Sequence, residues 1–461
     1  MHSIIKNTAR GLGLALAILA TAGLARAAGF AIYENDARGF AMGNANVGFN
    51  DDASALYSNP AAITQLPGAQ VKVGITLIQP SIDVTTGDYN SGFQKSRTFS
   101  MNSYTQVVPN LYGTYRLNDN MSVGLAVYTP YGLKSDFPQE PQSWGGAFNN
   151  YYTSIATEQI TPTFAYRIVH DQPWAKSLSV GVGVGFLYTK IDIRRQLDTN
   201  SIAEQLIGAG NQLIGAGQAA MGQAYIDQGN LINSKAPLGY TPIKMDGSGW
   251  DANFNLSAQW EINDQISLGI VYRSVTRLAF HGANAQVVGI TNGNAKAGIT
   301  LPASWNFGVN YKPIVPLNLG FNATYTQWSS WNELNITTVN MGVFDTTETQ
   351  IKNWKNVWRY SIGGEYQATN QVAVRAGFVI DKDPVNQDYV DFMVPSNDRL
   401  IYTIGLGWSI NKYVTLDFAY GYLHIKGRDF TPSAGSGIMG PTNSINAGHA
   451  NIVSVSGNFR F

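Results

Sequence analysis

Residues 51–63, DDASALYSNPAAI, bring together side chains that could build a catalytic or metal site. Two acids, two serines and an asparagine supply carboxylate, hydroxyl and amide groups within this short run. A serine hydrolase also needs a histidine base, and often a nucleophile in a sharp turn such as G-x-S-x-G. The run contains no histidine, and the chain lacks that motif. Local hydrogen bonding explains the composition better, because such side chains satisfy nearby backbone groups and Pro60 suits the first position of a short helix.

The histidines of the chain do not supply the missing base. Beyond residue 27 they are His170 in an expected short turn, His281 at the start of an expected long loop, and His424 and His449, which we place in the wall or at its rim. The absence of cysteine excludes disulfides and thiolate metal ligands. We therefore expect a protein that is not an enzyme, with no catalytic residue, no metal and no cofactor.

The first 27 residues have the pattern of a secretory signal peptide. Lys6 and Arg10 precede the apolar run 11–24, and Ala25-Arg26-Ala27 fits a cleavage site between small residues. The alternative is an uncleaved helical anchor, but the apolar run is short for a membrane-spanning helix. We predict a signal peptide over 1–27, with cleavage after Ala27.

The composition of the remaining chain is unusual for a soluble protein. Charged residues make up 13%, against about 25% in ordinary domains. Aromatic residues reach 12%, glycine contributes 48 of 461 residues, and the mean hydropathy is only −0.10. No later window is apolar over the 18 residues that a spanning helix needs. This combination is typical of an outer-membrane β-barrel, whose apolar residues alternate with polar ones. The zero net charge and the lack of a basic cluster argue against a nucleic-acid partner.

Apolar and polar residues alternate in many segments after residue 69. The pattern is clear in 252–262, 316–328, 371–381 and the last eleven residues, NIVSVSGNFRF. Because successive side chains of a strand point to opposite faces, each segment has one apolar face. A soluble β-sandwich would alternate too, but here the polar face is rich in Asn, Gly, Ser and Thr and poor in charges. We therefore favour a membrane barrel, with an all-β, antiparallel fold.

The connections predict the number of strands. Six are short and rich in turn residues: 116–120, 169–176, 262–265, 312–316, 368–371 and 410–412. Seven are long: 83–97, 132–156, 196–244, 281–297, 332–350, 383–397 and 428–447. Together they connect fourteen transmembrane strands over 69–461. Outer-membrane barrels place short turns in the periplasm and long loops outside. Residues 28–68 then form a separate N-terminal segment in the mouth or the lumen.

The third long loop carries a helical signal. QLIGAG occurs at 205–210 and again at 212–217, which places Leu206 and Leu213 on one helical face. Ser201 and Glu204 fit a capping box, so we predict one or two helices here. These helices either form a lid that packs on its neighbours, or they line an exposed apolar groove where a hydrophobic ligand first binds.

Several motifs together resemble the FadL family of outer-membrane transporters. They are AGF (28–30), RGFAMGNA (38–45), DDASALYSNPAAI (51–63), VPNLYGTYRLND (108–119), TPYGL (129–133) and VPSNDR (394–399), in that order along the chain. The resemblance implies a fourteen-stranded barrel plugged by an N-terminal hatch over 28–68. It also implies passive uptake of hydrophobic molecules, with capture at the long loops, binding in the lumen, hatch movement and lateral release through a gap at a kinked third strand.

The resemblance also suggests roles for particular residues. Phe30 matches a phenylalanine whose ring reaches the ligand pocket, and Asn59-Pro60-Ala61 matches the hatch motif that takes part in gating. We expect replacement of Asn59 or Ala61 to reduce uptake without unfolding the barrel. Gly132 matches the glycine of the kinked third strand. Here Thr129 and Pro130 replace small residues of the family pattern, so the strand either opens the wall at Pro130 or ends there.

Arg195 aligns with an arginine of the family's ligand pocket, and its orientation can be checked by alternation. Along 179–189 the even positions are the large apolar ones and face lipid, so the odd series continues inward through Ile193 to Arg195. An inward arginine beside isoleucines would bind a carboxylate while an acyl chain lies on the apolar residues. The alternative is a rim arginine bonded to a loop carbonyl. Arg375 also points inward, and we expect an acidic neighbour for it.

The ligand class stays open between long-chain fatty acids, which we favour, and monoaromatic hydrocarbons of the toluene type. Other functions are a general diffusion porin, disfavoured by the few charges and the hatch, and an outer-membrane lipid hydrolase, disfavoured by the missing base. We expect a monomer in the outer membrane of a Gram-negative cell. Its partners would be hydrophobic small molecules and outer-membrane lipids.

Overall fold

The protein is an antiparallel β-barrel closed by pairing between its first and last strands. A computed structural model describes residues 29–461, so the expected signal peptide lies outside the described residues. The first strand pairs with the last from Gln70↔Arg460 to Ser81↔His449. No helix in 29–461 is both long enough and apolar enough to cross a membrane.

Twenty-three strands make up the barrel and a small outer sheet. They are β1 Ala69–Ser81, β2 Asp83–Gly87, β3 Ser96–Ser100, β4 Gln106–Arg116, β5 Met121–Tyr128, β6 Gly132–Asp136, β7 Tyr152–Gln172, β8 Ala175–Asp198, β9 Tyr240–Glu261, β10 Ile266–Arg273, β11 Thr276–Val287, β12 Thr291–Leu301, β13 Ser304–Ile314, β14 Leu317–Thr326, β15 Glu333–Val339, β16 Thr346–Ile351, β17 Val357–Gln367, β18 Val372–Asp381, β19 Arg399–Ser409, β20 Val414–Ile425, β21 Arg428–Asp429, β22 Ser444–Ile445 and β23 Gly448–Arg460.

The wall has fourteen strands, as the sequence predicts. Five of them are interrupted, so each of these five consists of two of the segments named above. These five are β5/β6, β10/β11, β12/β13, β14/β15 and β16/β17, and β1, β4, β7, β8, β9, β18, β19, β20 and β23 complete the ring. The remaining strands, β2, β3, β21 and β22, form a sheet that joins the first and last long connections. Two expected loops are shorter than predicted, since most of 281–297 and 332–350 extends the wall as paired strands.

The alternation in the sequence corresponds to the inner and outer faces of the wall. On β1, Val71 and Val73 are 38% and 49% exposed, whereas Lys72 between them is fully buried inside. On β8, Val180, Val182, Val184 and Phe186 face outward, and the small residues between them are buried. Because the outward residues are apolar, the barrel presents a lipid-compatible surface.

Residues 29–68 lie inside the barrel. They contain helix α1 (Ala37–Ala41), helix α2 (Ala55–Ser58) and a 3-10 helix (Pro60–Gln65). Pro60 occupies the first turn of that 3-10 helix, as the sequence predicts. Buried residues predominate throughout the segment, which contacts wall strands on several sides.

The third long connection forms an antiparallel pair of helices, α3 (Thr199–Gly215) and α4 (Ala219–Lys235). The capping-box prediction was wrong: the Asp198 carboxylate accepts the backbone N–H of Ser201 at 2.9 Å, so α3 begins two residues before Ser201. The helices approach closely at Gly210 and Gly222, where a side chain would collide with the facing backbone.

Candidate functional site

Phe30 lies in a cage of aromatic rings. Its ring makes edge contacts with Trp328, Trp331 and Trp354 at centroid distances of 4.9, 5.1 and 6.0 Å, and with Tyr131 at 6.0 Å. Such edge-to-face contacts stabilise aromatic pairs beyond their buried area. Phe30 is only 3% exposed, so the cage holds its ring in one position.

The residue before Phe30 must be glycine for this cage to close. Gly29 has φ +92°, in the region that residues with side chains rarely adopt, and an added Cβ would lie 2.7 Å from the Trp328 ring. Packing against Trp328 therefore explains why glycine precedes Phe30. A larger residue at position 29 would displace either the indole or the chain that carries Phe30.

We call residues 29–35 the N-terminal arm; its backbone pairs with the interruption in the third wall strand. The Ile32 N–H donates to the Pro130 carbonyl, and the Gly132 N–H donates to the Phe30 carbonyl, both at 2.9 Å. A Cβ on Gly132 would lie 2.6 Å from the Ile32 side chain. The wall strand resumes at Gly132 after Pro130, so it does not end at the proline.

The wall is incomplete beside this interruption. Pairing between β4 and β5 ends at Leu111↔Val127, and in the described chain β6 pairs with β7 but not with β4. Residues 106–110 of β4 therefore lack a strand partner on that side. The hydroxyl of Tyr104 donates to the Lys134 carbonyl at 2.6 Å across the space. The strand pairing of the wall is interrupted at this place, which we call the wall gap.

An inner cavity of about 150 Å³ adjoins Phe30 and this gap. It is enclosed by the arm, by β1, β4, β6, β17, β18, β19, β20 and β23, and by residues 394–396. Most of its wall is apolar, including Ile78, Ile401, Leu423 and Ile452. Phe30 and Gly132 thus line one cavity, which we call the inner cavity.

Residues 36–66, here called the anchored segment, are fixed by buried charges. Lys72 on β1 is fully buried, and its ammonium lies 2.5 Å from Asp36, 2.8 Å from Asp52 and 3.4 Å from Asp417. Sequence reasoning missed this cluster, although the alternation of β1 places Lys72 inside. A buried lysine is found paired, so Lys72 was a signal for facing carboxylates.

Two arginines extend the same network. Arg38 donates to Glu365 at 2.8 and 3.0 Å, and Arg375 donates to Glu365 and to Asp417 at 2.6 and 2.8 Å. The acidic neighbours expected for Arg375 are therefore present. Arg38 belongs to the anchored segment, whereas Glu365 lies on β17 and Arg375 on β18. The contact between Arg38 and Glu365 therefore links the anchored segment to the wall.

Asp52 shows how this network uses the run DDASALYSNPAAI. Its carboxylate accepts from the backbone N–H of Ser54 at 2.8 Å, as local hydrogen bonding predicts. Burial alone would raise the pKa of Asp52, but the nearby Lys72 and Arg38 lower it well below its usual range. Asp52 is thus ionised, and its carboxylate contacts both the local turn at Ser54 and Lys72 in the wall of the barrel.

The Asn59-Pro60-Ala61 motif is fixed to strand β9. The side-chain amide of Asn59 donates to the Val47 carbonyl at 3.0 Å, the Ala258 carbonyl at 3.1 Å and the Gln259 side chain at 2.7 Å. The Ala61 N–H donates to the Ser257 hydroxyl at 2.9 Å. None of the three residues of the motif lines the inner cavity.

A second cavity, of about 370 Å³, opens between α3 and the extended strands of the long-loop end. We call it the outer groove. Arg195 and Leu206 both line it, with Ile243, Met245 and Phe344. Leu213, one repeat further along α3, does not line it. Of the two leucines predicted for a loop groove, the structure therefore places Leu206 in the lining of the outer groove and Leu213 outside it.

Arg195 forms an ion pair with Glu348 on β16, and both side chains are partly exposed. Ile193 is buried inside the barrel, as alternation predicts. Ile193, Ile243 and Met245 belong to the same contiguous apolar cluster as Phe30. An apolar connection thus runs from the outer groove to the inner cavity, although the two share no lining residue in the described chain.

The histidines belong to the strands. His424 and His449 are cross-strand partners on β20 and β23, and His170 lies near the end of β7 rather than in the short turn where we expected it. His281 belongs to β11 rather than to a loop.

A closed, fourteen-stranded barrel with an apolar outer face and a filled lumen defines a channel protein of the bacterial outer membrane. The chain belongs to the FadL family, since residues 18–461 match the family model for outer membrane transport proteins of the OMPP1/FadL/TodX type.

Curated relatives match 90% or more of the chain. An outer membrane protein of Neisseria meningitidis serogroup B is 28% identical, covering 100% of this chain and 99% of the relative. The long-chain fatty acid transport protein of Escherichia coli K12 is 24% identical, covering 90% and 92%.

Solved structures share the fold. A Pseudomonas aeruginosa FadL homologue has a TM-score of 0.75 at 19% identity and covers 94% of this chain and 100% of its own. The toluene transporter TodX of Pseudomonas putida has a TM-score of 0.64 at 16% identity and covers 94% and 100%.

Proposed function

We propose that this channel takes up long-chain fatty acids passively across the outer membrane. The observation that carries the proposal is the apolar connection from the outer groove to the inner cavity beside the wall gap. Both cavities also have an arginine in their walls, which suits a ligand with an acyl chain and a carboxylate. The similarity to the fatty acid transport protein of Escherichia coli supports the same ligand class.

In the first step the ligand binds in the outer groove. Its acyl chain lies on Leu206 and Ile243, and its carboxylate competes with Glu348 for Arg195. Because the Arg195–Glu348 pair is partly exposed, exchanging one carboxylate for another costs little. Ile193 then contacts the chain as it passes into the lumen.

In the second step the ligand displaces the N-terminal arm. Phe30 leaves its cage, the pairing between the arm and the third strand breaks, and residues 130–132 border an open gap. The ligand leaves sideways through this gap into the outer-membrane lipid. Residues 28–68 act as the hatch, and Asn59-Pro60-Ala61 keep the rest of the hatch in register while the arm moves. The channel acts as a monomer, because every step takes place within one barrel.

A monoaromatic hydrocarbon is the second candidate ligand, and the size of the inner cavity favours it. A cavity of about 150 Å³ lined by apolar residues can hold a benzene ring. The aromatic cage around Phe30 would also suit a single ring. A fatty acid requires the arm to move, whereas a single ring fits the resting cavity.

The deciding experiment measures uptake in a host that lacks its own transporter. Cells producing this protein should take up radiolabelled oleate well above cells with an empty vector, and toluene more weakly. The reverse order would make the monoaromatic compound the ligand. A large, steady ion current through the purified protein in a planar bilayer would instead indicate a diffusion porin.

A further inference from the structure

A glycine of the wall faces the anchored segment on each of seven consecutive strands. The strands are β10, β13, β14, β17, β18, β19 and β20, which are neighbours in that order. Each glycine is either the cross-strand partner of the next one or is offset from that partner by two residues. They therefore form one band, here called the glycine belt, which consists of Gly269, Gly308, Gly320, Gly363, Gly377, Gly405 and Gly421.

Residues 40–48 of the anchored segment follow this belt around the inner wall. They pass from β20 to β10 in chain order, with Phe40 against Gly421 at one end. Val47 lies against Gly269 at the other end. The motif RGFAMGNA (38–45) supplies most of this stretch, so the belt gives that motif a structural role.

The fit leaves no space between the segment and the wall. A Cβ on Gly320 would collide with the Ala45 carbonyl, and a Cβ on Gly363 would collide with the backbone of Met42. From the opposite side, a Cβ on Gly48 would lie 2.8 Å from a backbone nitrogen of β13. A place that cannot accept a methyl carbon cannot hold a water molecule either. Residues 40–48 thus lie directly against half of the fourteen wall strands.

Other contacts close the remaining half of the ring. Arg116 of β4 and Arg167 of β7 donate to the Thr64 carbonyl at 2.9 and 2.5 Å, and Gly124 of β5 faces the Leu56 side chain. The hydrogen bonds to β8 and β9 and the ion pairs to β1 add three more strands. Helix α1 lies beside β23. The anchored segment therefore contacts the wall around its whole circumference.

The belt divides the lumen into two compartments. On β18, Asp381 lines the inner cavity, Ala373 lines a polar cleft of about 90 Å³, and Gly377 lies midway between them. The same order from cavity through belt to cleft holds on β17 (Arg359, Gly363, Gln367) and on β20 (Leu423, Gly421, Asp417). The cleft lies toward the short turns, which is the periplasmic end.

We propose that the glycine belt is the permeability seal of this channel. Because it holds residues 40–48 directly against the wall, water and ions do not pass between the inner cavity and the polar cleft. The seal stays closed when the arm moves, since no residue of the arm lies on the belt within the described chain. The route of a ligand ends above the belt, whichever hydrophobic compound the channel carries.

The test adds a side chain to the belt and then removes the group that faces it. The three atoms nearest to a Cβ on Gly421 all belong to the Phe40 ring, so this pair allows an exchange of size. Ion currents are recorded in planar bilayers for the wild type, for Gly421→Leu, and for Gly421→Leu combined with Phe40→Ala. We expect Gly421→Leu to raise the steady current several-fold and the added Phe40→Ala to bring it back to the wild-type level.

Gly113→Leu is the matched control on β4. Gly113 pairs with the outward Val71, and no atom of the described chain lies within 4 Å of an added Cβ. The current of this variant should equal that of the wild type. A higher current would show that any added side chain in the wall causes a leak, which would contradict a role specific to the belt.

Two results would overturn the proposal. One is a wild-type current in Gly421→Leu when its heat-dependent gel mobility shows a folded barrel. The other is an equal or larger leak in the double variant, because the glycine would then act on the wall alone. If Gly421→Leu does not fold, Gly320→Ala provides the smaller change. Its Cβ meets the Ala45 carbonyl, so we expect a leak, and a closed Gly320→Ala channel would contradict the seal.

Discussion

The N-terminal arm and the anchored segment are neighbours in the chain, but they are held in different ways. The arm is held by aromatic rings around Phe30, by backbone pairing to one interrupted strand, and by side-chain hydrogen bonds from Arg399 to Gly29 and between Asn35 and Thr129. The anchored segment is held by buried ion pairs at Lys72 and by side-chain hydrogen bonds to β8, β9, β10 and β19. Buried ion pairs thus hold the anchored segment, whereas no salt bridge of the described residues involves the arm.

This difference indicates how a plugged barrel can open without losing its plug. The aromatic contacts of the arm can be replaced by those of an apolar ligand that fills the same space. A buried ionic network has no such substitute, since removing one partner leaves an uncompensated charge. We therefore expect the arm to move and the anchored segment to stay, which keeps the lumen closed to water-soluble compounds.

The largest effect should come from the anchored segment. Lys72→Met removes the cation that Asp36, Asp52 and Asp417 share, and breaking such a buried pair costs about 3–5 kcal/mol. The plug should detach while the barrel stays folded. Ion conductance and sensitivity to large antibiotics should rise. Lys176→Met is the control, because its pair with Asp264 is exposed and such pairs contribute little. Unchanged conductance in Lys72→Met would contradict the anchoring role.

Phe30→Ala should loosen the arm alone. Truncating a buried phenylalanine costs about 3–5 kcal/mol of stability, and here it removes the contacts with the aromatic cage that hold the arm. Hydrogen exchange should become faster at the Ile32 and Gly132 amides, which bond between arm and wall. The Ala61 amide, bonded to Ser257, should keep its protection. Faster exchange throughout 29–66 would show that the two parts of the plug are one unit.

Asn59→Ala should reduce oleate uptake moderately. The substitution removes the donor to Val47, Ala258 and Gln259, and a buried unsatisfied acceptor costs about 1–3 kcal/mol. The barrel should still show the heat-dependent gel mobility of a folded barrel. Asn90→Ala, in an exposed loop, serves as the comparison. If Asn59→Ala took up oleate like the wild type at equal surface levels, the motif would have no role in gating.

The smallest effect should appear at the outer groove. Leu206→Asp places a charge in the groove beside Arg195 and should lower oleate capture by a few-fold. Leu213→Asp, on the same helix but outside the groove, should change it less. Equal effects of the two substitutions would indicate that the helices form a lid and not a binding surface.

The sequence predicted the wall better than the plug, for a physical reason. Alternation along β8 reports which face each residue occupies, so the inward side of Ile193 follows directly, and the short and long connections predict the number of strands. The partners of Lys72 come from the plug and from β20, and no local pattern links positions so far apart.

The same limit explains the errors in the loops. Residues 281–297 look like a loop because Gly and Asn are frequent, but pairing with β9 and β15 keeps them extended. The sequence around Ser201 fits a capping box, but the carboxylate of Asp198, three residues earlier, caps the helix instead.

Reversible cross-links test most directly whether the arm moves while the anchored segment stays. The chain has no cysteine, so introduced pairs react without background. Ala31→Cys with Tyr131→Cys joins bridge partners of the arm and the third strand. Thr64→Cys with Ser179→Cys joins the anchored segment to β8, where the two hydroxyls lie 2.8 Å apart. Oxidation should stop oleate uptake in the first pair, with recovery on reduction, and should leave the second pair active. Full uptake with the arm cross-linked, or loss of uptake with only the anchored segment cross-linked, would contradict the account.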